Sequence, residues 1–410
     1  MEVIVSRGCG LDVHQSLIVA CLMTGRPGRR VRKQIKSFSA MKCDLEALRD
    51  WLKAEDCTQV AMESTGVYWK PVYNILEGHF EITVANARHI KAVPGRKTDV
   101  KDAEWIADLL RHGLLRASYV PAQEFRHLRD LMRYRRKLVS ARSAERNRLI
   151  KLLESANIKL SSVATDVFGV SGRLMLTALQ RGESSPEEMA ELAKGQLRKK
   201  LPELQQALDG RLEAHHRQLL AMQLDRIERL ARDLAQLDAR LEVKLKPYAH
   251  QLELLDSIVG IDWVVAATII AELGIKMSQW PTVGHLASWA GLCPGQNESA
   301  GKRRNSRIRP GNPHLRAALV EAALAATHQK DCYFREKFYR LKARRGHKRA
   351  VIAVARKVLV AVYYVLSKDT PFQELGAEYL DRLEPERIKL NLVRRLERLG
   401  YQVKLDPKRD

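Results

Sequence analysis

The sequence has little of several features that mark common classes of protein. Aromatic residues make up only 6% of the 410 residues, which argues against a protein that holds single strands mainly by stacking on their bases. The six cysteines are scattered without a C-x-x-C pair or a Cys/His cluster, so we expect reduced thiols and no zinc site. The N-terminus lacks the layout of a signal peptide, and no apolar run approaches membrane-spanning length. These absences predict a cytoplasmic protein without a membrane partner.

Acidic residues are also outnumbered. The chain has 71 Lys and Arg against 48 Asp and Glu, which gives a net charge of +23. An excess of this sign and size indicates a polyanionic partner, usually nucleic acid. A charge that serves only solubility is the alternative, although solubility needs a smaller excess. The apolar content of 45% supports buried cores, and the length allows two or three domains.

Residues 1–120 are expected to form an α/β domain. Short β-rich runs separated by turn residues come first, and helices and strands then alternate. In the segment DLEALRDWLKAED, Leu45, Leu48 and Leu52 have the spacing of one helix face. This order of elements predicts a mixed sheet flanked by helices.

Residues 121–250 are expected to be a long, basic helical region that brings protomers together. A polar, glycine-containing stretch at about 165–210 interrupts it. The later part has a coiled-coil seam, in which apolar residues recur in alternating steps of three and four. The seam residues are Ile227, Leu230, Leu234, Leu237 and Leu241. Both a dimerising coiled coil and an antiparallel hairpin within one chain are compatible with this pattern.

Residues 251–368 are expected to form a helical domain, and 369–410 a charged tail. The segment LELLDSIVGIDWVVAATIIAELG places two apolar helical stretches around a Val-Gly-Ile turn. It resembles a helix-hairpin-helix, whose turn binds phosphate through backbone N–H groups. A plain αα-hairpin is the alternative.

Four acidic residues in the first quarter of the chain are candidate metal ligands. Asp12 and Glu63 each follow a short apolar run that is typical of a strand, and Asp99 and Asp102 open a helix, where they share one face. Each acid alone is more simply a strand-end or first-turn residue. Together, on a strongly basic chain, they predict a Mg²⁺ site for phosphoryl transfer.

Ser299, in the segment NESAGKRRNSRIRPGN, is a candidate nucleophile. A serine in a glycine-rich polar loop usually has no special role, and no histidine follows or precedes this one to act as a base. Its basic neighbours strengthen the case for a nucleophile, because clustered basic side chains bind phosphate and stabilise the transition state of attack on a phosphodiester. Ser306 is a nearby rival. The basic neighbours are Lys302, Arg303, Arg304, Arg307 and Arg309.

Five motifs in order and spacing resemble the IS110/IS1111 family of insertion-sequence transposases. They are GLDVHQ, AMESTGVYW, KTDVKDAEWIADLLRHGLL, LLDSIVGIDWVVAATIIAELG and GLCPGQNESAGKRRNSRIRPGNPHLRAAL. The resemblance covers nearly the whole chain. It implies an N-terminal RNase H/RuvC-like domain with an Asp-Glu-Asp-Asp site, a coiled-coil region and an all-α C-terminal domain with an essential serine. Matching the motifs places these roles on Asp12, Glu63, Asp99, Asp102 and Ser299.

The resemblance also implies a mechanism and partners. The family cuts and rejoins double-stranded DNA, at element ends and targets, through a serine–phosphodiester intermediate. Its acids bind Mg²⁺ close to the serine, in a site assembled between protomers of a dimer or tetramer. A structured noncoding RNA from the element pairs with the DNA, so that base pairing selects the sequence. Such a protein would act on the bacterial nucleoid.

Two other functions remain open on the sequence. One is a RuvC-like, metal-dependent endonuclease that uses activated water, with Ser299 in a structural role only. The other is a nucleic-acid-binding scaffold without catalysis, against which four acids and one serine in register argue.

Overall fold

The computed structural model describes residues 3–25, 30–93, 102–182, 184–295, 297–299, 302–305, 307–383 and 385–406. The chain divides into two compact units, Met1–Val120 and Pro121–Asp410. The first unit is α/β and the second is mostly helical, which confirms the predicted fold class.

The N-terminal unit is built on a five-stranded mixed sheet. The strands are β1 (Arg7–Val13), β2 (Leu17–Thr24), β3 (Arg32–Ser39), β4 (Gln59–Glu63) and β5 (Glu81–Ala85). Their order across the sheet is β3-β2-β1-β4-β5. The first three strands form an antiparallel meander, and β4 and β5 continue the sheet in parallel with β1. The helices of this unit are α1 (Lys42–Ala54), α2 (Trp69–Leu76), α3 (Ala87–Ala92) and α4 (Asp102–Arg111).

Each face of this sheet has its own core, because side chains alternate between the two faces of a strand. On one face, Leu11 and Met62 pack in a cluster with the apolar side of α1 and α2. On the other face, Ala61 packs with Trp105 and Ile106 of α4. The strands β1 and β4, which carry Asp12 and Glu63 at their carboxyl ends, are therefore packed against a core on both faces of the sheet.

Two glycines in β1 let α4 lie directly on the sheet. A Cβ on Gly10 would be 2.3 Å from both the Ala103 carbonyl oxygen and the Ala107 nitrogen, whereas a Cβ on Gly8 would be 3.2 Å from Cδ2 of Leu110. Successive positions along β1 thus meet earlier positions of α4, so the helix runs antiparallel to the strand. The N-terminal end of α4 consequently lies over the carboxyl end of β1.

Gly10→Ala is expected to destabilise the packing of α4 by about 1–3 kcal/mol, because the added methyl would push against helix backbone that cannot rotate away. Gly8→Ala is the matched control, since its methyl would meet the flexible end of Leu110. We expect a loss there of under about 1 kcal/mol. Thermal unfolding and amide hydrogen exchange across α4 measure both changes. Equal losses at the two positions would contradict the described contact.

The two longest helices of the second unit pair with each other within the chain. They are α5 (Gln123–Ser155) and α10 (Ala214–Leu245). Arg135 Nε lies 2.7 Å from Asp238 Oδ1, and Arg226 Nε lies 3.5 Å from Glu145 Oε2. Because residue numbers rise on one helix as they fall on the other, the pair is antiparallel. The predicted seam residues therefore pack onto α5 of the same chain, as in the hairpin alternative.

The stretch between these helices is a compact helical cluster with its own core. Its residues include Leu149, Met175, Leu176, Leu204 and Leu220, all fully buried. The sequence pattern did not reveal this core because each short helix supplies only a few apolar residues. The elements are α6 (Leu160–Val163), α7 (Val170–Arg181), α8 (Pro186–Glu191), a 3₁₀ helix (Gly195–Lys200) and α9 (Leu201–Leu208).

In the remainder of the second unit, the described elements are helices and one two-stranded ribbon. A 3₁₀ turn (Lys246–Tyr248) leads into α11 (Ala249–Asp256) and α12 (Trp263–Leu273), the predicted helical hairpin. The ribbon is an exception to the expected all-α domain: the polar, basic sequence there offers no apolar helix face to bury. The other elements are a 3₁₀ turn (Met277–Gln279), α13 (Val283–Trp289), β6 (Asn297–Ser299), β7 (Lys302–Asn305), α14 (Pro313–Ala326), α15 (Tyr333–Arg345), α16 (His347–Lys368), α17 (Tyr379–Leu383) and α18 (Pro385–Arg398).

Among the described helices, α16 is long and apolar enough to cross a membrane by length and composition alone. The expectation that no apolar segment reaches that length was therefore wrong. The sequence pattern was misleading because Arg356 and Lys357 interrupt the apolar run without ending the helix. In this structure 44% of its most apolar stretch is buried, and α16 packs against α14 and α15. Such packing is typical of a core helix in a folded domain.

Candidate active site

Asp12 and Glu63 lie side by side at the carboxyl ends of two adjacent parallel strands. Gly10 pairs with Ala61 and Leu11 with Met62, so the next positions along the two strands are the two acids. Because side chains alternate along a strand, Asp12 shares a face with Gly10, and Glu63 with Ala61. That face is the one covered by α4.

Asp102 joins these two acids from the helix above them. It is the first residue of α4 and is exposed. Asp12 lies two residues beyond Gly10 along β1, a distance of roughly 6.6 Å, which corresponds to between four and five residues along a helix. Gly10 lies against Ala103 and Ala107, and α4 runs antiparallel to β1. The start of α4 therefore lies on the side of Asp12. The structure thus brings three of the four predicted acids, from three elements, to one end of one sheet face. Asp99 lies outside the described residues.

Neighbouring side chains hold two of the acids. His14 Nε2 lies 3.1 Å from Asp12 Oδ2, and the Thr65 hydroxyl donates a hydrogen bond to Glu63 Oε1. Both partners stand two residues after the acid, in the turn that follows its strand. This D-x-H and E-x-T spacing was the available signal, and sequence reasoning missed it. A carboxylate has about four acceptor positions, so one such bond orients it without exhausting it.

Glu104, one helix residue beyond Ala103, is engaged elsewhere. Its Oε2 lies 3.4 Å from Lys33 Nζ on the edge strand β3. The acids at the site are therefore those at the strand ends and the helix start.

The three acids offer only carboxylate oxygens, which are the donors that Mg²⁺ and other hard divalent ions prefer. They are not gathered within 4.8 Å of one another in the described part of the chain. Among the described residues, the group of possible metal ligands that does lie within 4.8 Å is Glu213, His215 and His216. Glu213 already caps α10 and forms an ion pair with Arg211 at 2.9 Å. The three acids at the sheet thus suit a divalent ion, because their oxygens are the right ligands and their elements converge on one place. Their carboxylates would still have to move closer together to share one ion.

In the second unit, Ser299 is the last residue of β6. Its backbone pairs with Lys302, and Glu298 pairs with Arg303, across the turn of the ribbon. Three of the five predicted basic residues lie on β7, and the other two follow it. Arg307 and Arg309 are both exposed. The backbone thus collects the predicted serine and its basic neighbours on one short hairpin.

The base of this hairpin is fixed by backbone contacts. The Gly295 N–H donates to the Arg307 carbonyl at 2.8 Å, and Pro294 forms a bridge with Ile308. Further down, a Cβ on Gly311 would lie 2.3 Å from the Gly291 nitrogen, so the two chain segments touch backbone to backbone. The two ends of the segment that carries Ser299 are therefore held together.

A buried carboxylate ties this base to the helices beneath it. Glu272, on α12, is 1% exposed, and Arg133 donates to both its oxygens at 2.8 Å. Arg129 Nε lies 3.2 Å from Glu272 Oε2, and its guanidinium also donates to the Ala271 and Glu272 carbonyls. Asn312 Nδ2 donates to Glu272 Oε2 at 2.7 Å. We name Glu272, Arg129, Arg133 and Asn312 the Glu272 clamp.

Asn312 connects the Glu272 clamp to the hairpin segment. Its Oδ1 accepts hydrogen bonds from the backbone N–H groups of His314 and Leu315 and so caps α14. Its backbone N–H donates to the Trp289 carbonyl at 3.1 Å. Burial would raise the pKa of Glu272. The hydrogen bond from Arg133, the charges of the two arginines and the bond from Asn312 outweigh burial and lower that pKa. A charged Glu272 therefore holds Asn312 at one end of the hairpin segment, and the Asn312 backbone bonds to Trp289 before the other end. The sequence pattern did not indicate this role.

Comparison with known proteins identifies the family. The family model for the DEDD transposase of IS110 matches residues 9–158, and the model for the IS116/IS110/IS902 transposase family matches residues 252–340. A probable family 20 transposase of Pseudomonas aeruginosa is 25% identical over 333 residues, which are 80% of this chain and 89% of the relative. The transposase for insertion sequence element IS1111A of Coxiella burnetii is 25% identical over 70% of this chain and 71% of its own.

A third relative is named for a different kind of DNA rearrangement. The pilin gene-inverting protein of Moraxella bovis is 30% identical over 129 residues, which are 30% of this chain and 39% of the relative. The first family model includes the strands and helix that carry the acids, together with Arg129 and Arg133 of the Glu272 clamp. The second includes the hairpin and the other two clamp residues, Glu272 and Asn312. Since models of one family match both units in order, the protein belongs to the IS110/IS1111 family of insertion-sequence transposases.

Proposed function

We propose that this transposase cuts double-stranded DNA at element ends and target sites and rejoins the strands in a new order. The observation that carries the proposal is the placement of Asp12 and Glu63 at adjacent strand ends beneath the start of α4. Strand ends of an open α/β sheet are where such sites form. A net charge of +23 supports a polyanionic substrate.

Asp12, Glu63, Asp99 and Asp102 would hold a divalent metal ion, which we propose to be Mg²⁺. Bound there, the ion would supply charge to a phosphoryl group and favour ionisation of a nearby hydroxyl. The chain's own contribution is to orient the carboxylates. His14 and Thr65 do this for Asp12 and Glu63 through the hydrogen bonds described above.

Ser299 is proposed as the nucleophile. Its hydroxyl oxygen would form a bond to the scissile phosphorus while the deoxyribose oxygen leaves and takes up a proton. The serine–DNA phosphodiester keeps the energy of the broken bond, so a deoxyribose hydroxyl from another strand can reverse the step and rejoin the DNA. The basic residues of the hairpin would bind the phosphate backbone; these are Lys302, Arg303, Arg304, Arg307 and Arg309.

Partners follow from the same proposal. Exchange of two duplexes needs several active sites, so we propose a dimer or tetramer in which acids and serine from different protomers meet. A structured noncoding RNA from the element would select the DNA by base pairing, as the family resemblance implies. In this division of labour, residues 1–120 supply the acids, 121–250 the protomer contacts and 251–368 the serine, with 369–410 as a tail. The enzyme would work on the bacterial nucleoid.

Asp12→Asn tests the proposed catalytic role of the acids. We expect strand cleavage to fall by about 10²–10³-fold, because the amide keeps the shape but loses the charge that stabilises the reaction. The assay uses the full chain with Mg²⁺, the element's own RNA and a plasmid that carries the element ends. Mobility shifts should show unchanged DNA binding.

Asp50→Asn is the matched control, since this exposed acid on α1 is on the opposite face of the sheet and pairs with Arg49. It should leave cleavage unchanged. Full cleavage by the Asp12 variant would show that this acid is not needed for cleavage and would overturn the proposal.

A further inference from the structure

A cavity in the C-terminal part of the chain is separate from the hairpin and the Glu272 clamp. It measures about 710 Å³ and lies between α15, α16 and the segment 370–383. None of the residues that line it belongs to the hairpin or the clamp. The volume is in the range of pockets that hold small molecules or single nucleotides. We name it the C-terminal pocket.

The C-terminal pocket is lined by five aromatic residues, although the whole chain is only 6% aromatic. Phe334 and Phe372 stack with ring centroids 5.7 Å apart at 17°, and Tyr333 meets Tyr379 edge to face at 5.7 Å. Tyr364 stands apart from these pairs and is 47% exposed. The ring lies 5.4 Å from that of Tyr363 in an edge-to-face arrangement, and about half of the residue's surface is open to a planar group.

Three lysines line the same pocket: Lys337, Lys357 and Lys368. In the described part of the chain, none of the three has an ion pair with a carboxylate within 4.0 Å. Lys368 Nζ lies 5.6 Å from the centroid of the Tyr364 ring. The pocket wall therefore combines uncompensated positive charge with an exposed aromatic face.

Two acidic residues near the C-terminal pocket, Glu374 and Asp369, bind groups other than the three lysines. Glu374 Oε1 accepts from the Tyr333 N–H at 2.8 Å, and Asp369 pairs with His250 at 2.9 Å. Burial, and then the charges of Lys357, Arg344 and Arg340, lower the pKa of Lys337. Arg340 has a counter-ion in Asp381 at 2.7 Å, whereas the three lysines of the pocket have no carboxylate within 4.0 Å among the described residues. An external anion would relieve the repulsion between these lysines.

We propose that the C-terminal pocket binds a nucleoside phosphate, with the base stacked on Tyr364 and the phosphate held by Lys337, Lys357 and Lys368. The source is an unpaired nucleotide of a nucleic-acid strand or a free nucleotide, which share this chemistry. Base–aromatic stacking and charge attraction are the two forces that hold single nucleotides in proteins. The inference is independent of the serine mechanism and of the acids at the sheet.

Photocrosslinking locates the bound base. A trinucleotide with a central halouridine is irradiated with the full chain, and the crosslinked residue is mapped by mass spectrometry. We expect the crosslink at Tyr364. A crosslink confined to residues outside the C-terminal pocket would overturn the proposal.

Binding measurements on variants test the two forces separately. Tyr364→Ala is expected to weaken trinucleotide binding about tenfold or more, and Lys357→Ala to weaken it severalfold. Lys348→Ala is the control, because it removes the same charge from α16 at a position that does not line the pocket. It should leave the affinity unchanged. Equal weakening by Lys357→Ala and Lys348→Ala, with no effect of Tyr364→Ala, would reduce binding to general charge attraction and overturn the proposal.

The ligand series separates the sources. Uridine monophosphate that binds as tightly as the trinucleotide supports a free nucleotide, and much weaker binding supports an unpaired nucleotide in a strand. The proposal would be overturned if inorganic phosphate displaced the trinucleotide completely and the Tyr364→Ala variant bound the trinucleotide normally, because the base would then not stack on Tyr364. Pocket variants that change only the oligomeric state in sedimentation would also overturn it, since the pocket would then be a protein interface.

Discussion

Ser299→Ala is expected to abolish the covalent protein–DNA adduct and to lower strand exchange by at least about 10⁴-fold. Removal of a catalytic nucleophile commonly has an effect of this size or larger. The adduct is measured by denaturing electrophoresis after reaction of the full chain with labelled DNA ends, Mg²⁺ and the element's RNA. Binding of DNA should be unchanged, since the substitution removes one hydroxyl and no charge.

Two matched variants sharpen this test. Ser306→Ala removes a serine from the same basic segment and should leave the adduct in place. Ser299→Cys keeps a nucleophilic atom at the position and should restore part of the adduct, as a phosphorothiolate with a sulfur–phosphorus bond in place of the oxygen–phosphorus bond. Cleavage that survives Ser299→Ala without an adduct would point instead to hydrolysis by activated water, with the acids alone sufficient.

Glu272→Ala is expected to lower the free energy of unfolding of the second unit by about 3 kcal/mol. The substitution leaves the guanidinium groups of Arg129 and Arg133 beside each other without their carboxylate. Breaking a buried pair from one side typically costs about 3–5 kcal/mol. The lower end applies because the Arg133 side chain is 32% exposed and so keeps some contact with water. Chemical unfolding, followed by helix content, measures the change.

Asp238→Ala provides the control for the Glu272 clamp. It removes the partner of Arg135 in the same helical unit, but Asp238 is 29% exposed, so the loss should stay below about 1 kcal/mol. Amide exchange at residues 291–295 and 307–312 should increase in Glu272→Ala and not in Asp238→Ala. Unchanged exchange there would show that the clamp stabilises the unit without positioning the hairpin segment.

The pKa of Glu272 gives the same clamp a pH dependence. Its pKa is lowered in the folded chain, so the charged clamp stabilises the fold at pH values above the ordinary glutamate pKa of about 4.3. This stabilisation is lost as the pH falls through the folded value. The wild type should therefore lose more stability than Glu272→Ala upon acidification below about pH 4.5. Parallel losses in the two proteins would contradict the described ion pairs.

Local patterns in the sequence predicted much of the N-terminal unit. The apolar runs before Asp12 and Glu63 have the length and composition of strands, and the Leu45, Leu48 and Leu52 spacing has the period of a helix. These signals depend on neighbours along the chain. The basic segment around Ser299 was equally visible, whereas the roles of Ser299 and of the four acids stay predictions.

The sequence by itself determined which residues carry charge at the ends of the strands, because strand alternation and apolar runs are local properties. Only the tertiary structure decided that β1 and β4 are neighbours, that α4 runs antiparallel over Gly10, and that α5 pairs with α10 in the same chain. It also decided that Glu272 meets Arg133 across 139 residues of sequence. Contacts of this kind depend on the packing of whole elements, for which the spacing of residues along the chain holds no signal.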